Sequence, residues 1–153
     1  MPQVAWNKDV PNLNVQSLTE REIDIRKHFS NPAVQYVGST SGCGCDFPNV
    51  MFQNEGWPTL ETAEAERDEW DLARDVSERR NRESLFALLR SSGDELIELY
   101  GIWLDDHEEL AKPPIASEDI LLDAILTPDF RLKERLFYRV SPTASPSPPA
   151  ASL

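Results

Sequence analysis

The chain has 153 residues, 40% of them hydrophobic and 27% charged, the make-up of a globular protein with a core of its own. Its 15 basic and 27 acidic residues leave a net charge of −12, which argues against nucleic acid as a partner, because neutralising phosphates takes clustered Lys and Arg. No apolar run approaches the ~20 residues of a membrane helix. Met1 to Asp9 show no basic region followed by an apolar one, and two cysteines are too few to staple a secreted chain of this size. The expectation is a cytoplasmic protein that does not enter a membrane, with an acidity that serves solubility or suits a basic protein partner, a metal ion or an amine.

Residues 1–17 show no period. Pro11 and the run Asn12-Leu13-Asn14 predict an extended arm, pinned by Trp6, Val10 and Leu13. A short helix is predicted next, capped by Thr19, with Glu20 and Glu22 in its first turn and Arg26, Lys27 and His28 in its last, the signs that the helix dipole favours. Ile23 and Ile25 alternate, so a strand also fits this stretch. Ser30-Asn31-Pro32 ends the element. Ala33 to Thr40 reads as a strand, followed by a glycine-rich loop that holds both cysteines, Cys43 and Cys45. From Phe47 to Leu60 the chain reads as an aromatic loop, with Phe47, Phe52 and Trp57 covering the core edge or lining a pocket.

Glu61 to Arg80 reads as a solvated helix. Asn81 is expected to cap a second one, whose Leu85, Phe86, Leu88 and Leu89 form a buried face and which Gly93 stops. Glu95 to Leu104 is the clearest strand, apolar on both faces except at Glu98, and so expected at the centre of a sheet. The acidic run Asp105-Asp106-His107-Glu108-Glu109 follows as a loop. Ser117 is expected to cap a helix carrying Ile120, Leu121, Ala124 and Ile125. Phe130 to Val140 alternates as one long strand. Arg131, Lys133, Arg135 and Arg139 on one of its faces suggest an edge strand or partners on acidic helices. Glu134, alone among apolar residues on the other face, calls for a partner. The uncharged Ser/Pro/Ala-rich stretch 141–153 reads as a disordered tail, leaving residues 1–140 as one domain.

This order predicts a single small α/β (or α+β) domain with about three core strands and packed helices. Helical crossovers favour parallel strands. Parallel strands would bring the Cys loop and the acidic loop to one sheet edge, where open α/β sheets hold ligands. The candidate edge is therefore Cys43, Cys45, Asp46, Trp57, Trp103, Asp105, Asp106 and His107.

Four readings of Cys43-Gly44-Cys45 follow from its chemistry. Cys43 and Cys45 with His107 and an aspartate can make a tetrahedral zinc site, although structural zinc sites usually show two spaced ligand pairs. A thiol–disulfide couple is the second, with a tight and reducible ring. Asp46 opposes it, because a carboxylate raises a neighbouring thiol pKa. Gly38 to Gly42 as an anion cradle is the third, without the Gly-Lys-Ser/Thr ending of a P-loop. The fourth, which we adopt, is a tight structural turn in which the cysteines act as small hydrophobes. The chain carries no G-x-S-x-G, H-E-x-x-H or EF-hand pattern.

The run Tyr36-Val37-Gly38-Ser39, followed by Gly42-Cys43-Gly44-Cys45-Asp46-Phe47, resembles small bacterial proteins with a G-S-x-x-G-C-G-C-x-F core. Glu98-Leu99-Tyr100-Gly101-Ile102-Trp103 resembles their second core segment. The two segments cover less than a third of the chain. Those proteins have no assigned activity, so the resemblance implies none, and where they carry a glycine after the second cysteine this chain has Asp46. The function expected is a non-enzymatic binding or regulatory module without a cofactor, a class that includes acidic inhibitors and immunity-type proteins. The alternative is a zinc-binding or thiol-redox protein built on Cys43, Cys45 and His107.

Overall fold

The computed structural model describes residues 10–39, 47–52, 56–59, 71–102 and 110–142, with 71–74 described by backbone alone. Asn12 takes a left-handed backbone at φ 67°, which asparagine tolerates better than most residues. It turns the chain into strand β1 (Leu13–Ser17). Leu13 and Val15 point inward and are buried, the alternation of a half-buried strand. Of the segment expected to be an arm, Leu13–Ser17 is thus a strand, and residues 1–9 lie outside the described residues. It pairs antiparallel with β2 (Gln35–Ser39), Val15 opposite Val37. Between them Glu20–His28 forms a 3-10 helix with Thr19 as its N-cap. The Glu22 carboxylate reaches back to accept the Thr19 N–H at 3.0 Å, half of a capping box.

Asp71–Ser91 is one continuous α-helix, α1. Asn81 does not cap a second helix; it lies mid-helix and is 1% exposed. It belongs to the buried stripe of Leu85, Leu88 and Leu89, whose i, i+4, i+7, i+8 spacing puts them on one face. Tertiary packing decides here, since that stripe docks against β1 and against a second 3-10 helix, Leu122–Leu126. Gly93, at φ 70°, follows the helix end as expected.

The larger sheet contains β4 (Ile97–Tyr100), β5 (Ala116–Leu121) and β7 (Leu136–Ser141) in the order β4-β7-β5. β7 is the central strand, with Leu136, Phe137, Tyr138 and Val140 buried. β4 pairs with it antiparallel and β5 parallel. β4, expected at the centre, is at one edge. β5 replaces the helix expected after Ser117. The local helix signals are outweighed by pairing with β7, which sets Ile120 beside Val140 and Asp119 beside Arg139. Arg139 Nε donates to Asp119 at 2.6 Å, and Lys133 lies 3.7 Å from Glu118. Arg139 and Lys133 therefore answer acidic residues of β5, while Arg131 donates to the Pro128 carbonyl and Arg135 to the Pro113 carbonyl.

The long strand expected from Phe130 to Val140 is broken in two. β6 (Leu132–Lys133) pairs parallel with β3 (Asn49–Val50). A tight turn at Glu134 and Arg135 then leads into β7, with Arg135 at φ 64°. Tyr138 locks this turn. Its hydroxyl accepts the Lys133 N–H at 2.7 Å and donates to the Arg131 carbonyl at 3.3 Å. Burial pushes the phenol up to about 12. Gly101, just beyond β4, faces the Lys133 carbonyl so closely that a Cβ would lie 2.9 Å from that oxygen.

These elements make a small mixed α/β domain. β2 and β4, expected side by side and parallel, belong to different sheets, β2 pairing with β1 and β4 with β7. Two apolar clusters result. The larger joins Leu13, Val15, the α1 leucines and the inner face of β7. The smaller gathers Ile25, Val34 and Leu110 with Leu18, Phe29, Tyr100 and Ile102 around it. No described helix is long and apolar enough to cross a membrane.

Candidate functional site

β2 and β4 do not pair, and a cavity of about 570 Å³ is bordered by both strands. Its volume falls within the roughly 300–1,000 Å³ range of small-molecule sites. One wall is Gln35, Tyr36 and Val37 of β2; the other runs from Glu98 to Ile102 along β4. The 3-10 helix contributes Glu22 and Ile25, and Phe29 follows it into the wall. The lining thus draws on both apolar clusters. Tyr100 is fixed from behind by an edge contact with the His28 ring at 5.8 Å. The His28 Nε2 is 3.0 Å from the Leu110 carbonyl, which requires the tautomer that donates from Nε2.

Among the described residues of the lining, every charged one is a glutamate: Glu22, Glu98 and Glu134. Each carboxylate is held by backbone donors. Glu22 accepts the Thr19 N–H. Glu98 accepts the N–H and the hydroxyl of Ser30, at 3.1 Å and 2.6 Å, and the Asn31 N–H at 3.4 Å. Glu134 accepts the Phe52 N–H at 3.0 Å. Oriented in this way, the three give the cavity a negative character, with no cationic side chain among the described residues of its wall. Acid–base catalysis asks for a group that can exchange a proton with a substrate. These carboxylates also act as acceptors that hold the chain, with lone pairs left over. Among the described residues no three of His, Cys, Asp and Glu are grouped to hold a metal ion.

Of the candidate edge, Trp57 is described. Its indole Nε1 donates to the Glu134 carbonyl at 2.9 Å. Phe52 meets it edge-on with ring centroids 5.4 Å apart, and the Lys133 ammonium lies 5.6 Å from its ring centroid. It clips the aromatic loop onto the β6–β7 turn, the edge-covering role. Cys43, Cys45, Asp46, Trp103, Asp105, Asp106 and His107 lie outside the described residues. The described residues next to these stretches are Ser39 and Phe47 at one and Ile102 and Leu110 at the other. Phe47 and Ile102 both line the cavity. The shared sheet edge expected for the two loops has lost its basis, since β2 and β4 are not in one sheet.

Sequence reading singled out Glu98 and Glu134 as charges in apolar strands, and both line the cavity. It took Glu22 for a helix-dipole residue, and nothing in its local pattern marks it as a wall residue. No protein-family model, curated protein or solved structure matches the chain. Fold and cavity therefore define the class: a small mixed α/β domain around an apolar, glutamate-rimmed cavity.

Proposed function

We propose that the protein is a non-enzymatic binding module of the cytoplasm, and that the cavity between β2 and β4 holds a positively charged ligand. The observation that carries this reading is the charge of the lining, where glutamate is the single charged residue type among the described residues. A cation entering the cavity meets carboxylates oriented in advance by backbone donors, so little ordering remains to be done on binding. Aromatic faces at Phe29, Tyr36 and Tyr100 add cation–π attraction. The net charge of −12 steers a cationic partner toward the protein and repels polyanions. A basic protein is one form such a ligand can take, and a regulatory or inhibitory role follows from occupying a basic surface.

Hydrogen exchange of the full chain with dansylcadaverine, a fluorescent cation, tests the reading. Binding should slow exchange at residues 35–37 and 98–102 and raise dansyl emission. Dansylglycine, its anionic counterpart, should do neither. Unchanged exchange along both strands at saturating probe would sink the proposal.

A further inference from the structure

We infer that the ligand of this cavity is a small organic amine carried on an apolar, preferably aromatic, stem; this rests on the cavity being the binding element. Three properties of the wall select that class. The first is the apolar surface between the carboxylates, from Ile25, Phe29, Val34, Leu99, Tyr100 and Ile102. A fully hydrated cation such as a polyamine leaves that surface wet, whereas an apolar stem removes it from water. The second is the acceptor inventory of the glutamates. Each already accepts one or more N–H bonds, which leaves lone pairs suited to single hydrogen bonds from an ammonium. It does not provide the six to eight oxygens of a calcium shell or the octahedron of a magnesium ion.

The third property is size. About 570 Å³ suits a drug-sized molecule. The cavity is open at its rim, where Gln16 is exposed, so a free molecule can enter without a change of fold. The ammonium sits by the glutamates and the stem lies against the aromatic faces. No bond is made or broken. Affinity comes from apolar burial, and specificity comes from the sign of the charge.

Calorimetric titration of the full chain with phenylbutylamine, phenylbutanol, phenylbutanoate and spermidine provides the test. The amine should bind at one site about tenfold tighter than the alcohol, with the carboxylate weakest. Equal binding of amine and alcohol overturns the amine class but leaves the cavity as a binding site. Tighter binding of spermidine overturns the apolar stem. No heat from any compound, together with no protection by dansylcadaverine, overturns both readings. An acetyl-Phe-Gly-Lys amide that binds more tightly than phenylbutylamine overturns the small-molecule form in favour of a basic protein segment. Glu98→Gln keeps an acceptor for Ser30 while removing the charge. It should lower amine affinity about fivefold and leave alcohol affinity unchanged. An equal loss for both ligands would show that Glu98 acts through structure alone.

Discussion

Ser30 gives Glu98 both its backbone N–H and its hydroxyl, although the two residues are 68 positions apart. The contact ties the chain just after the first 3-10 helix to β4. It also explains why a carboxylate occurs in a strand that is otherwise apolar. A charge held by several donors is less costly there than an unpaired one.

Glu98→Ala should therefore cost about 1–3 kcal/mol, the range for losing hydrogen bonds to a charged group. Ser30→Ala, which keeps the backbone donor, should cost less than half as much. Urea unfolding of both variants checks the order. A Ser30→Ala loss equal to that of Glu98→Ala would mean that the hydroxyl alone carries the contact.

Gly101 has no room for a side chain. A Cβ would stand 2.9 Å from the Lys133 carbonyl oxygen, and the backbone is pinned there because Arg135 N–H donates to the Gly101 carbonyl at 2.6 Å. Gly101→Ala should destabilise by about 1–3 kcal/mol, the usual cost of overpacking. Gly56, whose added Cβ meets nothing within 4 Å, sits at φ 119°, so Gly56→Ala tests strain without a clash. An unchanged denaturation midpoint for Gly101→Ala would contradict the close approach.

Tyr138 makes stability depend on alkaline pH. Burial, the main cause, raises its phenol from 10.0 to about 12, so the folded state favours the neutral form. The stabilisation is complete below the unfolded value near 10 and is lost as pH rises toward 12. The loss amounts to about 2–3 kcal/mol by linkage. Tyr138→Phe should be less stable at neutral pH, by about 1–3 kcal/mol for the unpaired Lys133 N–H, and should lose this alkaline dependence. Midpoints measured from pH 8 to 12 that fall equally in both proteins would assign the effect elsewhere.

Trp57→Phe should cost about 1–2 kcal/mol. It removes the bond to the Glu134 carbonyl and weakens the Lys133–ring contact. Because Glu134 also holds Phe52, Trp57→Phe and Glu134→Gln should be non-additive by at least about 0.5 kcal/mol in a double-mutant cycle. Strict additivity would mean that the loop and the turn are independent.

Much of the framework is legible in the sequence. β2 and the core of β4 appear as alternating apolar runs, Thr19 as a cap, and α1's stripe from Leu85 to Leu89 as helical spacing. β5 is not legible. Ser117-Glu118-Asp119 carries the start signal of a helix, and Ile120, Leu121, Ala124 and Ile125 fall at helical spacing. What overrides this is a neighbour in space, β7, which pairs with residues 116–121 and leaves Leu122 and Ile125 to the 3-10 helix below. The turn at Arg135 is hidden for a related reason. It places a non-glycine residue at positive φ, where Tyr138 and Gly101 hold it from outside the local sequence. At the cavity, Glu98 and Glu134 stand out as anomalies, but their lining one cavity with Glu22 depends on elements that local pattern cannot bring together.

The place of β7 in the large sheet has a consequence for how the protein is made. Its two sheet neighbours, β4 and β5, both leave the ribosome before it. Until residues 136–141 emerge, neither has its partner. Ile97, Leu99 and Ile120 then stay open to solvent on a nascent chain that cannot yet close its sheet, and Leu13, Val15 and Phe29 likewise wait for Leu136, Phe137, Tyr138 and Val140. Synthesis should thus end in a late, nearly all-or-none closure of sheet and core, with the demand for chaperones concentrated in the interval before it.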